Sequence, residues 1–133
     1  MANYEMFNVL SLNVRGIGDG KKRREIFRWL KRYHSGGNSI VFLQETHSTT
    51  ISEHVWQQEW GSKIFFSHGT SKARGVAILM PNKFNFDITE LWKDDSGRIL
   101  ALMLKTQEKT VNLVNIYAPT KDKSSEQIEF LKT

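Results

Sequence analysis

Residues 41–47 read Val41-Phe42-Leu43-Gln44-Glu45-Thr46-His47, an apolar run that ends abruptly on a carboxylate. The run is typical of a buried β-strand. An acid at the end of such a strand is costly unless it has a task, and binding a hard cation is a common one. Two other apolar runs also end on polar residues, at Asn13 and at Tyr117. Three predicted strands therefore deliver polar groups at their C-terminal ends.

The remainder of the chain alternates strands and helices and then continues with strands. Apolar periodicity predicts strands at residues 6–14 and 40–44, with helices at 21–33 and 51–60. Five strands follow, at residues 63–67, 75–80, 84–92, 99–106 and 110–117, and then a further helix at 124–131. The first strand has apolar residues on both faces, which is typical of a covered central strand. This order predicts an α+β fold, a layered sandwich in which helices cover sheets.

Composition narrows the class of protein. The 133 residues are 39% hydrophobic and 25% charged, as expected for one soluble globular unit. No segment reaches the roughly 18 to 20 apolar residues that span a bilayer, and the N-terminus does not resemble a signal peptide. We therefore expect no membrane partner and an intracellular location, nuclear or cytoplasmic. The absence of cysteine excludes disulfides, a cysteine-ligated zinc and a thiol nucleophile.

Positive charge is concentrated on the first predicted helix and the loop before it. Residues 15–32 contain eight basic and two acidic side chains, a net charge of +6, whereas the whole chain has +5. The helix has Ile26, Trp29, Leu30 and Tyr33 at helical spacing, with the basic residues mostly opposite. A positive patch predicts a polyanionic partner such as nucleic acid, and the alternative is a solvated helix face.

The three strand-end residues each have a structural alternative as well as a functional one. Glu45 could be a solvent-exposed acid or the partner of a basic side chain. Asn13 could be an ordinary turn residue before the glycine-rich loop, and Tyr117 could close its strand with its ring in the core. The residues alone leave these alternatives open.

Five short motifs together carry a family resemblance. They are Leu12-Asn13-Val14-Arg15-Gly16, Leu43-Gln44-Glu45-Thr46-His47, Arg74-Gly75-Val76-Ala77-Ile78-Leu79, Gly97-Arg98-Ile99 and Asn115-Ile116-Tyr117-Ala118-Pro119. In this order and spacing they resemble the exonuclease/endonuclease/phosphatase superfamily, most closely the apurinic-endonuclease-like domain of LINE-type (non-LTR) retrotransposons. The resemblance implies the layered α/β sandwich of that superfamily.

The resemblance also implies roles for particular residues. Asn13, Glu45 and Tyr117 would be catalytic: Glu45 ligates Mg²⁺, with Mn²⁺ as a substitute, Asn13 helps to orient the metal and the phosphate, and Tyr117 hydrogen-bonds near the phosphate. Metal ligation would thus fall on Glu45 and Asn13. The partner would be DNA, whose backbone lies near Arg98. Together with the basic patch, the residues predicted to contact DNA are Arg15, Lys21, Lys22, Arg23, Arg24 and Arg98.

The chain also departs from the family pattern. Relatives complete the site with a Gly-Asp-x-Asn motif and a late Ser-Asp-His motif, and neither occurs in these 133 residues. We therefore expect residues 1–133 to form the N-terminal part of a single domain, an incomplete first half that is inactive alone because it lacks a general base. The alternatives are a non-catalytic nucleic-acid-binding fragment and a phosphatase-like relative acting on a small phosphoester.

An incomplete sandwich has a predicted consequence for packing. A sheet that lacks its covering layer leaves apolar side chains exposed, and the residues expected to be partly uncovered are Leu100, Leu102, Leu104, Val111 and Leu113. The missing C-terminal half or another chain would cover them.

Overall fold

The computed structural model describes residues 8–33, 39–84 and 86–118 of the chain. The helix predicted at residues 124–131 and Pro119 of the last motif lie outside this described part. The elements in chain order are β1 (Asn8–Asn13), α1 (Gly20–Tyr33), β2 (Ser39–Gln44), a single 3₁₀ turn (Thr50–Ser52), α2 (Glu53–Trp60), β3 (Ile64–Ser67), β4 (Val76–Leu79), β5 (Asp87–Lys93), β6 (Ile99–Lys105) and β7 (Thr110–Ile116).

The strands form two sheets. The first has the order β1-β2-β4-β3, with β1 parallel to β2 and the other pairs antiparallel, and the second is the antiparallel meander β5-β6-β7. The mixture of helices and two sheets confirms the predicted α+β class. In the described part of the chain β1 pairs with β2 alone and its side chains are mostly exposed. The prediction of a covered central strand at this position is therefore wrong, because apolar alternation on both faces does not reveal which strands lie at an edge.

Alternate residues of β2 point into two different cores. Val41 and Leu43 pack with Phe27, Leu30, Trp56 and Trp60 of the helices, whereas Ile40 faces the second sheet. The described layers are therefore helices, first sheet and second sheet, in that order. Both β2 and β4 are covered on both sides, and accordingly β4 is entirely apolar and β2 is apolar at residues 40–43.

The second core corrects the expectation about exposed leucines. Leu100, Leu102 and Leu104 have 0% exposure and Leu113 has 7%, because the two sheets already pack against each other across Ile40, Val76, Ile78 and Met80. Val111 is partly buried against the same cluster. The exposed apolar residues of the second sheet lie elsewhere, on β5 and on alternate positions of β7: Leu91, Trp92, Val114 and Ile116.

The α1 helix differs from prediction in the residues that it buries, because Phe27 and Leu30 are buried while Trp29 is about half exposed. In the second helical region Trp56 and Trp60 are buried, while Ile51 and Val55 are exposed. Asp19 caps α1 by accepting a hydrogen bond from the Lys22 amide at 3.0 Å. No helix in the described ranges is long and apolar enough to cross a membrane.

Candidate active site

The ends of β1 and β2 bring Asn13 and Glu45 into direct contact. These strands are parallel and in register, with Asn13 opposite Gln44, so both continue into loops at the same edge of the sheet. The Asn13 amide Nδ2 donates a hydrogen bond to Glu45 Oε2, and Asn13 Oδ1 accepts one from the Arg15 amide at 3.0 Å. Asn13 thus orients the Glu45 carboxylate, while its own oxygen is turned toward the backbone.

Glu45 begins a strained turn. Glu45 and His47 have φ values of 53° and 57°, a left-handed conformation that costs a residue with a side chain about 1 kcal/mol or more. Backbone hydrogen bonds hold residues 45–47, which we call the Glu45 turn, from two sides. The Gly16 and Ile17 amides donate to the carbonyls of Glu45 and Thr46 at 2.6 and 3.1 Å.

The loop before β4 holds the other side of the Glu45 turn. The Thr46 and His47 amides donate to the carbonyls of Gly75 and Arg74, at 3.0 and 2.9 Å. Gly75 has φ 96°, and a Cβ there would collide with Thr46 Oγ1, so a glycine is required at this close approach. The turn is therefore fixed by its surroundings, as strained backbone at functional sites usually is.

A polar cross-link joins the two sheets directly beneath the turn. Asn115 on β7 is 1% exposed, and its Nδ2 donates to the carbonyls of Leu43 and Ala77 at 3.0 and 2.8 Å. Its Oδ1 accepts a hydrogen bond from Gln44 Nε2 at 2.9 Å. The motif pattern alone gives Asn115 and Gln44 no separate role, and the structure shows that they align the sheets because a buried amide must find partners.

The same cross-link places Tyr117 at the end of the sandwich that contains Glu45. Tyr117 follows β7 two residues after Asn115, its ring packs against the second core, and its amide donates to the Arg98 carbonyl at 2.8 Å. Arg98 immediately precedes β6, whose first residue, Ile99, pairs with Ile116 at the end of β7. The predicted site residues Asn13, Glu45, Tyr117 and Arg98 are therefore all at one end of the molecule.

Arg74 is a residue of this end that the motif analysis left without a role. It has φ 61°, its carbonyl holds the Glu45 turn, and its Nε donates to the Ser96 carbonyl at 2.8 Å. Arg74 thus connects the loop before β4 to the loop between β5 and β6. The adjacent Gly75 was the available signal, since glycine often marks a close backbone approach.

The basic residues predicted to contact DNA on α1 fall into an exposed group and one buried arginine. Lys21, Lys22 and Arg24 are exposed on the first turns of α1, and Lys22 Nζ donates to the Arg15 carbonyl at 3.3 Å, so these cations lie beside the β1 end of the site. Arg23, also predicted to contact DNA, is buried instead. Its guanidinium binds Glu59 at 2.6 Å, donates to the carbonyls of Ile17 and Gly18, and lies 5.0 Å from the Trp56 ring centroid.

The donor set at the end of β1 and β2 is compatible with Mg²⁺. Mg²⁺ usually takes one or two carboxylates and keeps several waters, and Glu45 supplies one carboxylate that Asn13 holds in place. Within the described ranges no group of three or more histidine, cysteine, aspartate or glutamate side chains could hold a metal.

The chain is similar in sequence to a transposon protein. The sequence matches no family profile. It is 34% identical over 113 residues to the "Transposon TX1 uncharacterized 149 kDa protein" of Xenopus laevis, a match that covers 85% of this chain and 8% of that protein. The chain thus spans a small fraction of this relative.

The fold is similar to that of a solved retrotransposon protein. The "Endonuclease domain of TRAS1, a telomere-specific non-LTR retrotransposon" superimposes with a TM-score of 0.53 at 15% identity, covering 94% of this chain and 53% of that domain. The two comparisons support the resemblance inferred from the motifs: the chain is similar in fold to a retrotransposon endonuclease domain and similar in sequence to part of a transposon protein. It spans about half of the solved domain.

Proposed function

We propose that the chain is the N-terminal part of a Mg²⁺-dependent DNA endonuclease domain of the retrotransposon type. The observation that carries this proposal is the contact between Asn13 and Glu45 at the adjoining ends of two parallel strands. A carboxylate oriented by an amide, on a turn that is held from both sides, is a preorganised ligand for a hard cation. A DNA substrate is consistent with a nuclear or cytoplasmic location.

Glu45 would hold the metal, and Asn13 would fix the carboxylate. When bound, Mg²⁺ would neutralise the charge that develops on the phosphate oxygens during phosphodiester cleavage. Tyr117 and Arg98 would hydrogen-bond to the phosphate and the DNA backbone, because both are at the Glu45 end of the sandwich. Arg15 and the exposed cations of α1 would contact neighbouring phosphates.

The metal site is tested by titrating Mn²⁺ into the protein and following its electron paramagnetic resonance. We expect weak binding, because one carboxylate without substrate phosphate gives the cation little reason to shed water. Glu45→Gln should abolish this binding. Glu108→Gln, an equal change of charge in the hairpin at the opposite end of β6 and β7, should leave it unchanged. Equal affinity in wild type and Glu45→Gln would exclude Glu45 as the ligand.

We further propose that the chain does not cleave DNA by itself. Hydrolysis needs a general base to activate water, and the motifs that supply it in the family are absent from these 133 residues. Incubation with supercoiled plasmid and Mg²⁺ should yield no nicked product above that of Glu45→Gln. Nicking by wild type that Glu45→Gln loses would show that the chain contains a complete site.

The exposed cations of α1 favour a second candidate, a non-catalytic nucleic-acid-binding fragment. Lys21, Lys22 and Arg24 would supply sequence-independent phosphate contacts without any metal. DNA affinity that is the same with Mg²⁺ and with a chelator, in a protein that fails to bind Mn²⁺, would select this candidate. No feature of the described residues favours the other alternative, a phosphatase-like relative. We therefore expect no hydrolysis of a small phosphoester.

A further inference from the structure

A chain of four hydrogen-bonded side chains runs behind the Glu45 turn. Thr46 Oγ1 lies 2.9 Å from Ser48 Oγ, Ser48 Oγ lies 2.8 Å from His68 Nδ1, and His68 Nε2 lies 2.5 Å from Glu53 Oε2. Thr46 and Ser48 are completely buried, and His68 stacks on the Phe66 ring at 5.1 Å. Because Glu53 begins α2, the chain of hydrogen bonds connects the turn to a helix.

The chemistry of the partners constrains the direction of these hydrogen bonds. A carboxylate of Glu53 accepts, so His68 Nε2 carries a proton. For the tautomer with Nδ1 unprotonated, Ser48 donates to His68 and its oxygen accepts from Thr46. The Ser48 amide also donates to Thr46 Oγ1, at 3.3 Å.

The order serine, histidine and glutamate is that of a hydrolase triad, yet this arrangement is not a nucleophilic site. Ser48 has 0% exposure, so a substrate atom cannot reach its oxygen. What the hydrogen bonds do reach is Thr46, which lies between the two residues of the turn that have positive φ, Glu45 and His47. Because Ser48 cannot act as a nucleophile, these hydrogen bonds act on the conformation of the Glu45 turn.

We propose that His68 is a positioning residue that holds the Glu45 turn in its left-handed conformation and thereby sets the cation affinity of Glu45. The backbone amides of the turn bind Arg74 and Gly75, but the side chain of Thr46 is anchored only through Ser48, His68 and Glu53 among the described residues. The effect on cation affinity rests on the proposed function. The effect on the conformation of the turn does not depend on that function.

The test uses His68→Phe, which keeps a ring to stack on Phe66 and removes both nitrogens. Hydrogen exchange of the Thr46 and His47 amides, measured by nuclear magnetic resonance, should become faster, while exchange of the Leu102 amide in the second core stays unchanged. Mn²⁺ affinity should fall by up to about tenfold, the lower end of the effect of partners that act through a ligand. His54→Phe, the same change at the exposed histidine beside Glu53, is the matched control.

Three smaller changes, at Glu53 and Ser48, keep the test decisive if His68→Phe fails to fold. Glu53→Gln retains an oxygen that accepts from His68 Nε2 and should preserve amide protection and Mn²⁺ affinity, whereas Glu53→Ala should lose both. Ser48→Ala should resemble Glu53→Ala. Equal behaviour of Glu53→Gln and Glu53→Ala, or wild-type protection in His68→Phe, would overturn the proposal. If Glu45→Gln leaves Mn²⁺ binding intact, the proposed metal site fails, and amide exchange still decides the role of His68.

Discussion

Asp94 organises the loop between β5 and β6 by accepting hydrogen bonds on both carboxylate oxygens. Oδ1 accepts from Ser67 Oγ at 2.8 Å and from the Arg98 and Ile99 amides at 3.0 and 2.9 Å, while Oδ2 accepts from Ser96. Burial by itself would raise the pKa of Asp94, but the hydrogen bonds outweigh burial and hold the pKa below its ordinary value of 3.8. The ionised carboxylate thus fixes the backbone on which Arg98 and Tyr117 meet.

This lowered pKa predicts an acid-dependent loss of stability. Since the folded pKa is lower than the unfolded one, the contribution of Asp94 is present above the ordinary value of 3.8 and is lost as pH falls through the folded pKa. Asp94→Asn should be less stable than wild type at neutral pH, and the difference should shrink on acidification. Thermal melts between about pH 7 and pH 3 measure it. A constant difference in melting temperature across that range would contradict the assignment.

At the scale of the element, α1 has two functions on two faces. Phe27 and Leu30 pack into the first core, and the buried Arg23 binds Glu59 of α2. Partial burial would raise the pKa of Glu59, but hydrogen bonds and charge from Arg23 and Arg24 lower it overall, as expected for a carboxylate in an ion pair. Arg23 therefore links the two helices, and only its exposed neighbours on α1 could contact the proposed DNA partner.

The division of α1 predicts which changes alter DNA binding. Replacing Lys21, Lys22 and Arg24 by Gln should reduce the slope of log affinity against log salt by up to about one unit for each phosphate contact removed. Fluorescence anisotropy with a labelled duplex at several salt concentrations measures the slope.

The control removes the same charge from the other end of the molecule. Lys83, Lys105 and Lys109 are exposed near the ends of β4 and β6 that are remote from Glu45, and replacing them by Gln should leave the slope unchanged. Arg23→Gln should instead destabilise the fold by up to about 3 kcal/mol, because Glu59 loses its closest partner in a largely buried pair and keeps only Arg24 at 3.4 Å. If the control triple variant flattens the slope equally, α1 is only a solvated face.

At the scale of the whole molecule, the second sheet has one covered and one open side. On β7, Leu113 and Asn115 face the first sheet, whereas Val114 and Ile116 are about half exposed on the other side. The exposed Trp92 of β5 shares this open side, since Trp92 and Val114 are both opposite Ala101 of β6. The chain thus already contains a packed sheet-on-sheet core and still presents apolar surface.

Alanine substitutions along β7 should reveal this sidedness. Leu113→Ala should lower the free energy of unfolding by about 2 to 5 kcal/mol, because it opens a cavity between the sheets. Val114→Ala and Ile116→Ala should each change it by no more than about 1 kcal/mol. Urea unfolding measures all three, with binding of a hydrophobic dye as a second readout. A loss at Val114 or Ile116 as large as that at Leu113 would show that the open side is covered in solution.

The sequence by itself determined much of the local structure and the identity of the candidate site. Periodicity predicted the described strands and both helices, and polar strand ends indicated Asn13, Glu45 and Tyr117, because apolar periods and abrupt polar strand ends are local properties of the chain. Arg98 was selected by the family resemblance alone. The structure places these four residues at one end of the sandwich, and their roles remain predictions.

Only the tertiary structure decided which surfaces of those elements are buried and which residues they contact. Among the described strands it left β1 paired with β2 alone, and it buried Leu100, Leu102 and Leu104 between the sheets and turned Arg23 inward to Glu59. It also joined His68 to Ser48 and Glu53, which lie 15 or more residues before it in the sequence. The physical reason is that burial and hydrogen-bond partners depend on residues brought together by packing, and a linear pattern does not contain those distances.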